Sequence, residues 1–261
     1  MSHSLNELQN LNGKTALVTG GAGYLGMAMC EVLAELGSNI IIASRNLDKV
    51  ETAREKLKIK FPDIEVHSLQ LDLLDDTSIK NLFHNINSLD ILINNAWSGK
   101  KNSFESISND DWEYDINLSL NSVFKMIKHA KPLLKKNKGV ILNVSSMYGH
   151  IAPDYRLYNN DNYVNPPSYG AAKAGVIQFT KYLASFLAPE GIRVNCISPG
   201  AFPHKETQQD HEFMERLGSK NPLNRIGYPD ELKGVVALLC TNASSYMTGQ
   251  NICVDGGWGI W

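Results

Sequence analysis

Short, nearly unbroken apolar runs alternate along the chain with longer stretches in which apolar residues recur at helical spacing. The runs at Thr15 to Thr19, Asn39 to Ala43, Ile64 to Leu69, Leu89 to Ile93, Val140 to Val144, Arg193 to Ile197 and Asn251 to Val254 predict strands. Segments such as NIIIAS and DILIN show little polar alternation, as expected of strands buried on both faces. Strands alternating with helices predict an α/β fold, a doubly wound sheet of about seven parallel strands with helices on both faces. Two stretches break the rhythm: residues 150 to 167, rich in Tyr, Asn, Asp and Pro, and residues 200 to 222, which follow SPG. Long loops in such folds are often functional, and ligands bind beyond the carboxyl ends of the strands. Residues 150 to 167 therefore read as an inserted loop and 200 to 222 as a substrate loop.

At 261 residues the chain fits one domain, 1 to 261, and no repeat or linker divides it. With 43% hydrophobic residues, 20% charged residues and a net charge of -2, nothing argues for nucleic acid or an anionic membrane as partner. The first residues lack an apolar core behind a basic flank, and nowhere do ~18 apolar residues run together, so a cytoplasmic protein is expected. Cys30, Cys196, Cys240 and Cys253 are far apart, without the paired short spacing of a metal site, and read as buried free thiols.

Chemistry enters at TALVTGGAGYLG, Thr15 to Gly26. Gly21, Gly23 and Gly26 fit G-x-G-x-x-G between a strand and a helix, the Rossmann-type fingerprint that brings backbone close to a pyrophosphate at a helix start. The same stretch also reads as T-G-x-x-G-x-x-G through Gly20, Gly23 and Gly26, with Tyr24 and Leu25 in the turn. The second strand ends at Ser44 and Arg45 where an acid would otherwise take a ribose 2'-hydroxyl. Arg45 can pair with a 2'-phosphate, which favours NADP(H) over NAD(H); a solvated loop arginine is the alternative. Asp48 falls where it could cap the following helix.

With NNAW, NVSSMYG, YGAAK and SPG following in order, and YMTGQNICVDGG at the end, the chain resembles the short-chain dehydrogenase/reductase family from about Gly13 to Gly257. The resemblance implies catalysis by Asn117, Ser146, Tyr169 and Lys173. Tyr169 and Lys173 are four apart on one helix face, and among ten tyrosines only Tyr169 has Lys at that distance. Tyr169 would exchange a proton with the substrate oxygen, while Ser146, the second serine of its pair, would steady the charge developing there. Lys173 would hold the nicotinamide ribose, and Asn117 would fix a water linking Lys173 to solvent. Family resemblance further assigns Asp72 and Leu73 to the adenine, Asn94, Asn95 and Ala96 to the adenosine ribose, and Ile197, Pro199 and Gly200 to the nicotinamide amide. It also implies a homo-oligomer, tetramer or dimer, formed through the helices carrying Asn117 and Tyr169 and through the last strand, with Ile260 and Trp261 covered.

Three departures from the family pattern stand out. Tyr24 occupies a position that compact members fill with glycine, and the Gly20, Gly23, Gly26 spacing is similar to the longer, nucleotide-sugar branch. Trp97 replaces the glycine of NNAG, either stacking on a sugar face or filling space. The interval from Ser146 to Tyr169 is 23 positions, against about a dozen in compact members. Asp154, Tyr155, Arg156, Tyr158 and Asn159 in that interval suit a polyhydroxylated ligand, or else elaborate a surface or subunit contact. His204, Lys205 and Arg156 could meet a carboxylate or phosphate, or be plain surface charge. The expected activity is interconversion of a secondary alcohol and a ketone with NADP(H) or NAD(H), on a sugar, sugar acid or phosphosugar. The runner-up substrate is a 3-oxoacyl thioester. A non-catalytic dinucleotide sensor and a nucleotide-sugar epimerase or dehydratase are opposed by the retained Tyr169 and Lys173 and by chain length, respectively.

Overall fold

The computed structural model describes residues 3–100, 102–158 and 164–260, so Asn159, Tyr163 and Trp261 lie outside the described residues. In chain order the elements are α1 (Leu5–Gln9), β1 (Thr15–Thr19), α2 (Tyr24–Glu35), β2 (Asn39–Ser44), α3 (Leu47–Lys60), β3 (Val66–Gln70), α4 (Asp76–His84) and β4 (Ile91–Asn94). There follow α5 (Asn109–Ile116), α6 (Ser122–Asn137), β5 (Val140–Val144), α7 (Pro167–Leu187), β6 (Arg193–Pro199), α8 (His211–Gly218), α9 (Lys233–Cys240) and β7 (Asn251–Val254). All seven strands pair in parallel in the order β3-β2-β1-β4-β5-β6-β7. Winding reverses between β1 and β4, which opens a crevice at their carboxyl ends.

Strand period decides the core. Ala16, Val18, Ile40, Ile42, Ile91 and Ile93 enter one buried layer, while Leu17, Ile41, Leu92 and Ile141 enter the layer on the opposite face. β3 and β4 start two residues later than the apolar pattern predicts, because Ile64 and Leu89 are buried in the approach to each strand rather than paired within it. A buried polar chain crosses the sheet: Asn94 Nδ2 donates to Asn143 Oδ1 at 2.9 Å, and Asn143 Nδ2 to Thr180 Oγ1 at 2.9 Å, tying β4 and β5 to α7. Asn94 thus ties neighbouring strands together through its side-chain amide.

Neither irregular stretch is bare loop. Residues 200 to 222 carry α8, and the insertion contributes a short 3-10 turn at Tyr155–Leu157. Leu157, Met147, Leu217, Ile226 and Trp258 form a third, smaller apolar cluster that seats the insertion on α8 and the last turn of the chain. Arg216 Nε donates to Leu157 O at 3.1 Å and Lys220 meets Asp154 at 2.6 Å across the same seam. Of the cysteines, Cys30, Cys196 and Cys240 are buried free thiols as expected, whereas Cys253 is exposed on the edge strand β7, which lacks a neighbour to cover it.

Candidate active site

A cleft of about 620 Å³ lies over the carboxyl ends of β1, β4, β5 and β6. Its floor begins at Gly20, whose φ of +64° is a conformation L side chains rarely adopt. A Cβ on Gly26 would stand 2.2 Å from Gly20 O, so glycine there is what lets α2 approach the turn. Gly23 is the N-cap of α2 and no side chain bonds the first-turn N–H groups, which leaves them to an anion. The working spacing is therefore Gly20, Gly23 and Gly26. Gly21 does not line the cleft; it is buried, with a Cβ there only 2.8 Å from Cys30 Sγ, so glycine at this position serves close packing of α2 on the sheet.

Tyr24 and Leu25 line the cleft beside this turn. Tyr24 turns across it, its hydroxyl accepting from Gln208 Nε2 at 2.9 Å and its ring 5.0 Å from that of His204. His204 thus faces the glycine turn.

At the far end Ser44, Arg45, Asn46 and Lys49 line the cleft, adding a cation that the sequence reading missed. Asn46, not Asp48, caps α3: its Oδ1 accepts from Lys49 N–H at 2.9 Å. Leu71 and Leu73 flank the same end, but Asp72 does not line it; its carboxylate accepts from Leu74 N–H at 2.9 Å, closing its own turn. Asn95 and Ala96 sit opposite Gly20, both backbone N–H groups donating to Thr19 Oγ1 at 3.0 and 3.1 Å. Pro199 and Gly200 complete the lining where β6 ends. These features fit a dinucleotide: a glycine-walled cradle, unclaimed N–H groups and two cations at the ribose end.

Ser146 leaves β5 buried and lines the cleft together with Tyr169, its Oγ accepting from Tyr148 N–H at 3.2 Å. Burial pushes the Tyr169 phenol above its ordinary range, and the nearby Ser146 hydroxyl opposes that rise. Ser168, beside it, donates to the buried carboxylate of Asp115, which pins the start of α7 to α5 and so aims Tyr169. Lys173 Nζ lies 5.7 Å from the Tyr169 ring centre and donates to Val144 O at 2.7 Å. Burial lowers its ammonium to about 8. Ser145 serves the scaffold: its Oγ donates to Lys173 O at 2.8 Å. Trp97 packs edge-on against Tyr169, ring centres 5.0 Å apart at 69°.

Asn117 is not part of this constellation. α5 runs into a π-helical segment, Asn117–Asn121, in which Asn117 is exposed and its Oδ1 accepts from Asn121 Nδ2 at 2.7 Å. The widened turn instead buries Ser119, whose Oγ has no hydrogen-bond partner. A π turn inside a helix has no signature in an apolar period, although such turns often mark functional sites.

The insertion divides likewise. Tyr155 and Arg156 lie outside the cleft, and Arg156 makes two bonds of 2.8 Å to Asp154. Tyr158 does line the cleft, beside Phe213 of α8. So does Asn165, which the sequence reading passed over: it is 8% exposed and its Oδ1 is buried without a partner.

Residues 21–259 match the family profile described as enoyl-(acyl carrier protein) reductase. The chain is 34% identical over 253 residues to 3-oxoacyl-[acyl-carrier-protein] reductase of Aquifex aeolicus (strain VF5), spanning 95% of this chain and 98% of that protein. Among solved structures it is similar to a short chain dehydrogenase from Leptospira borgpetersenii with bound NAD+, at 32% identity and a TM-score of 0.86 over 100% of this chain and 97% of that one. It is also similar to a gluconate 5-dehydrogenase from Burkholderia cenocepacia in complex with NADP and tartrate, at 25% identity and a TM-score of 0.86 over 98% of each chain.

Proposed function

Because the chain belongs to the short-chain dehydrogenase/reductase family, NAD(P)-dependent oxidoreductases of CH–OH groups, we propose that it interconverts a ketone and a secondary alcohol on a sugar or sugar acid, preferring NADP(H). The observation that carries the substrate class is Asn165, a residue of the cleft lining whose Oδ1 is buried with no donor. Leaving such a group unpaired costs about 1–3 kcal/mol, so the site favours a ligand that brings a hydroxyl to it. Trp97 beside Tyr169 offers an aromatic face suited to a sugar ring. Arg156 and Lys205 lie outside the cleft, which weakens the case for a phosphosugar.

The nicotinamide, when bound, supplies or accepts the hydride. Ser146 holds the substrate oxygen by a hydrogen bond, and Tyr169 gives that oxygen a proton in reduction or takes one in oxidation. Lys173, with two N–H bonds left after the one to Val144 O, is free to hold the nicotinamide ribose and to favour the Tyr169 phenolate when oxidation requires it. Arg45 and Lys49, which line the far end of the cleft, would hold the 2'-phosphate.

A second reading, reduction of 3-oxoacyl thioesters, is favoured by Met147, Phe213 and Leu217, apolar groups in the same lining. Assays of reduced-nicotinamide absorbance with ketoses, aldonates and 3-oxoacyl thioesters separate the two, with Tyr169→Phe as the inactive control. Under the sugar reading, Asn165→Leu lowers kcat/KM for the best polyol roughly 10- to 100-fold while leaving NADP(H) affinity unchanged. Turnover of thioesters alone, unaffected by Asn165→Leu, would overturn it. The free thiols fit a reducing cytoplasm.

A further inference from the structure

At the outer edge of the sheet, apart from the cleft lining, three side chains with ligand chemistry converge. Cys253 lies in β7, and Asp255 stands just past the end of that strand. His150 closes the 3-10 turn that begins just after Ser146. Cys253 Sγ and His150 Nε2 are 3.5 Å apart, and the three ligand atoms lie within 4.8 Å of one another. Asp255 is already oriented, Oδ1 accepting from Gly257 N–H and Oδ2 from Gly259 N–H, each at 2.9 Å. Gly259 keeps the adjoining space open: a Cβ there would lie 3.1 Å from Asp255 Oδ2 and 3.3 Å from His150 Nε2.

We propose that Cys253, His150 and Asp255 bind a zinc ion that clips the catalytic loop to the last strand. The mixed sulfur, nitrogen and oxygen set suits zinc, whereas magnesium and calcium prefer oxygen alone. With Zn–S near 2.3 Å and Zn–N near 2.0–2.1 Å, tetrahedral geometry separates sulfur and nitrogen by roughly 3.5 Å. That is the spacing seen between Cys253 and His150. The fourth position faces solvent and takes a water. Binding exchanges the Cys253 thiol proton for the ion and releases the proton to solvent. The ion has no part in hydride or proton transfer; it restrains the segment that presents Ser146 and Tyr148.

Cobalt(II) and zinc titrations of the chelator-stripped full chain near neutral pH test this. The expected result is one cobalt per chain, with a thiolate charge-transfer band and the intense visible absorption of four-coordinate cobalt, both displaced by zinc. Cys253→Ser and His150→Ala lose both signals, and zinc raises the melting temperature of the native chain but not of Cys253→Ser. Absence of the charge-transfer band, or equal affinity in Cys253→Ser, overturns the site.

Discussion

Lys173 keeps its charge in a place that opposes it. Burial lowers its ammonium from 10.5 to about 8. Below pH 8 folded and unfolded chains both hold the proton and the folded chain bears the desolvation cost; between about 8 and 10.5 only the unfolded chain holds it, so stability rises with pH across that window. At about 1.4 kcal/mol per pH unit the cost near neutrality is about 3 kcal/mol, partly offset by the bond to Val144 O. Lys173→Met is accordingly expected to be inactive yet ~1–3 kcal/mol more stable than the native chain at pH 7, the margin closing by pH 10. Urea unfolding at the two pH values measures it, and equal stability at pH 7 would refute the cost. Arg45 acts at the same scale. Removing a charge-assisted contact and adding a repelling carboxylate in Arg45→Asp should move the NADP(H) to NAD(H) preference roughly 10- to 100-fold toward NAD(H). Unchanged kcat/KM ratios for the two cofactors would remove Arg45 from the 2'-phosphate site.

Among the elements, the glycine turn and the segment after β6 are joined by Tyr24. Its bond to Gln208 and its contact with His204 join two walls of the cleft beside the glycine turn, so this bridge is expected to slow the release of a bound dinucleotide. Tyr24→Ala should speed cofactor dissociation about tenfold with little change in association, as expected for one hydrogen bond and a ring contact. Stopped-flow displacement of the reduced cofactor decides it; an unchanged off-rate would sink the bridge. Tyr24 was legible as an anomaly, a side chain where compact members have glycine, but its partner lies 184 positions away. Asn117 illustrates the opposite case, where the motif was visible and its orientation was not. One π turn at the end of α5 carries Asn117 to solvent and Ser119 inward.

For the whole molecule, an aromatic ladder on α6 and α7 runs outward from Phe179, which packs against the core. Phe124, Phe179, Tyr182 and Phe186 follow one another at 6.3, 6.3 and 5.9 Å between ring centres. Phe124, Tyr182 and Phe186 are exposed, an apolar face of the kind subunits cover. We expect a homo-oligomer through these helices, with Tyr182→Glu dissociating it by sedimentation at micromolar concentration; a native monomer would end that expectation. Among the described residues no helix is long and apolar enough to cross a membrane.

The sequence by itself determined whatever depends on near neighbours along the chain. Strand and helix order follows from apolar period, the phosphate turn from glycine spacing, and the Tyr169 and Lys173 pair from one helical turn. Those relations are set by local geometry, and the strand order, the Gly20, Gly23 and Gly26 turn and the one-turn spacing of Tyr169 and Lys173 all appear in the structure. Tertiary structure alone decided which polar residues face the cleft. Asp154 spends its carboxylate on Arg156 and Lys220, Asp72 on its own turn, and Gly21 packs on Cys30, while Asn165 and Lys49 reach the cleft without any motif to announce them. Each outcome rests on where backbone distant in sequence happens to pass, and on the cost of leaving a buried polar group unpaired. The apolar period is blind to both.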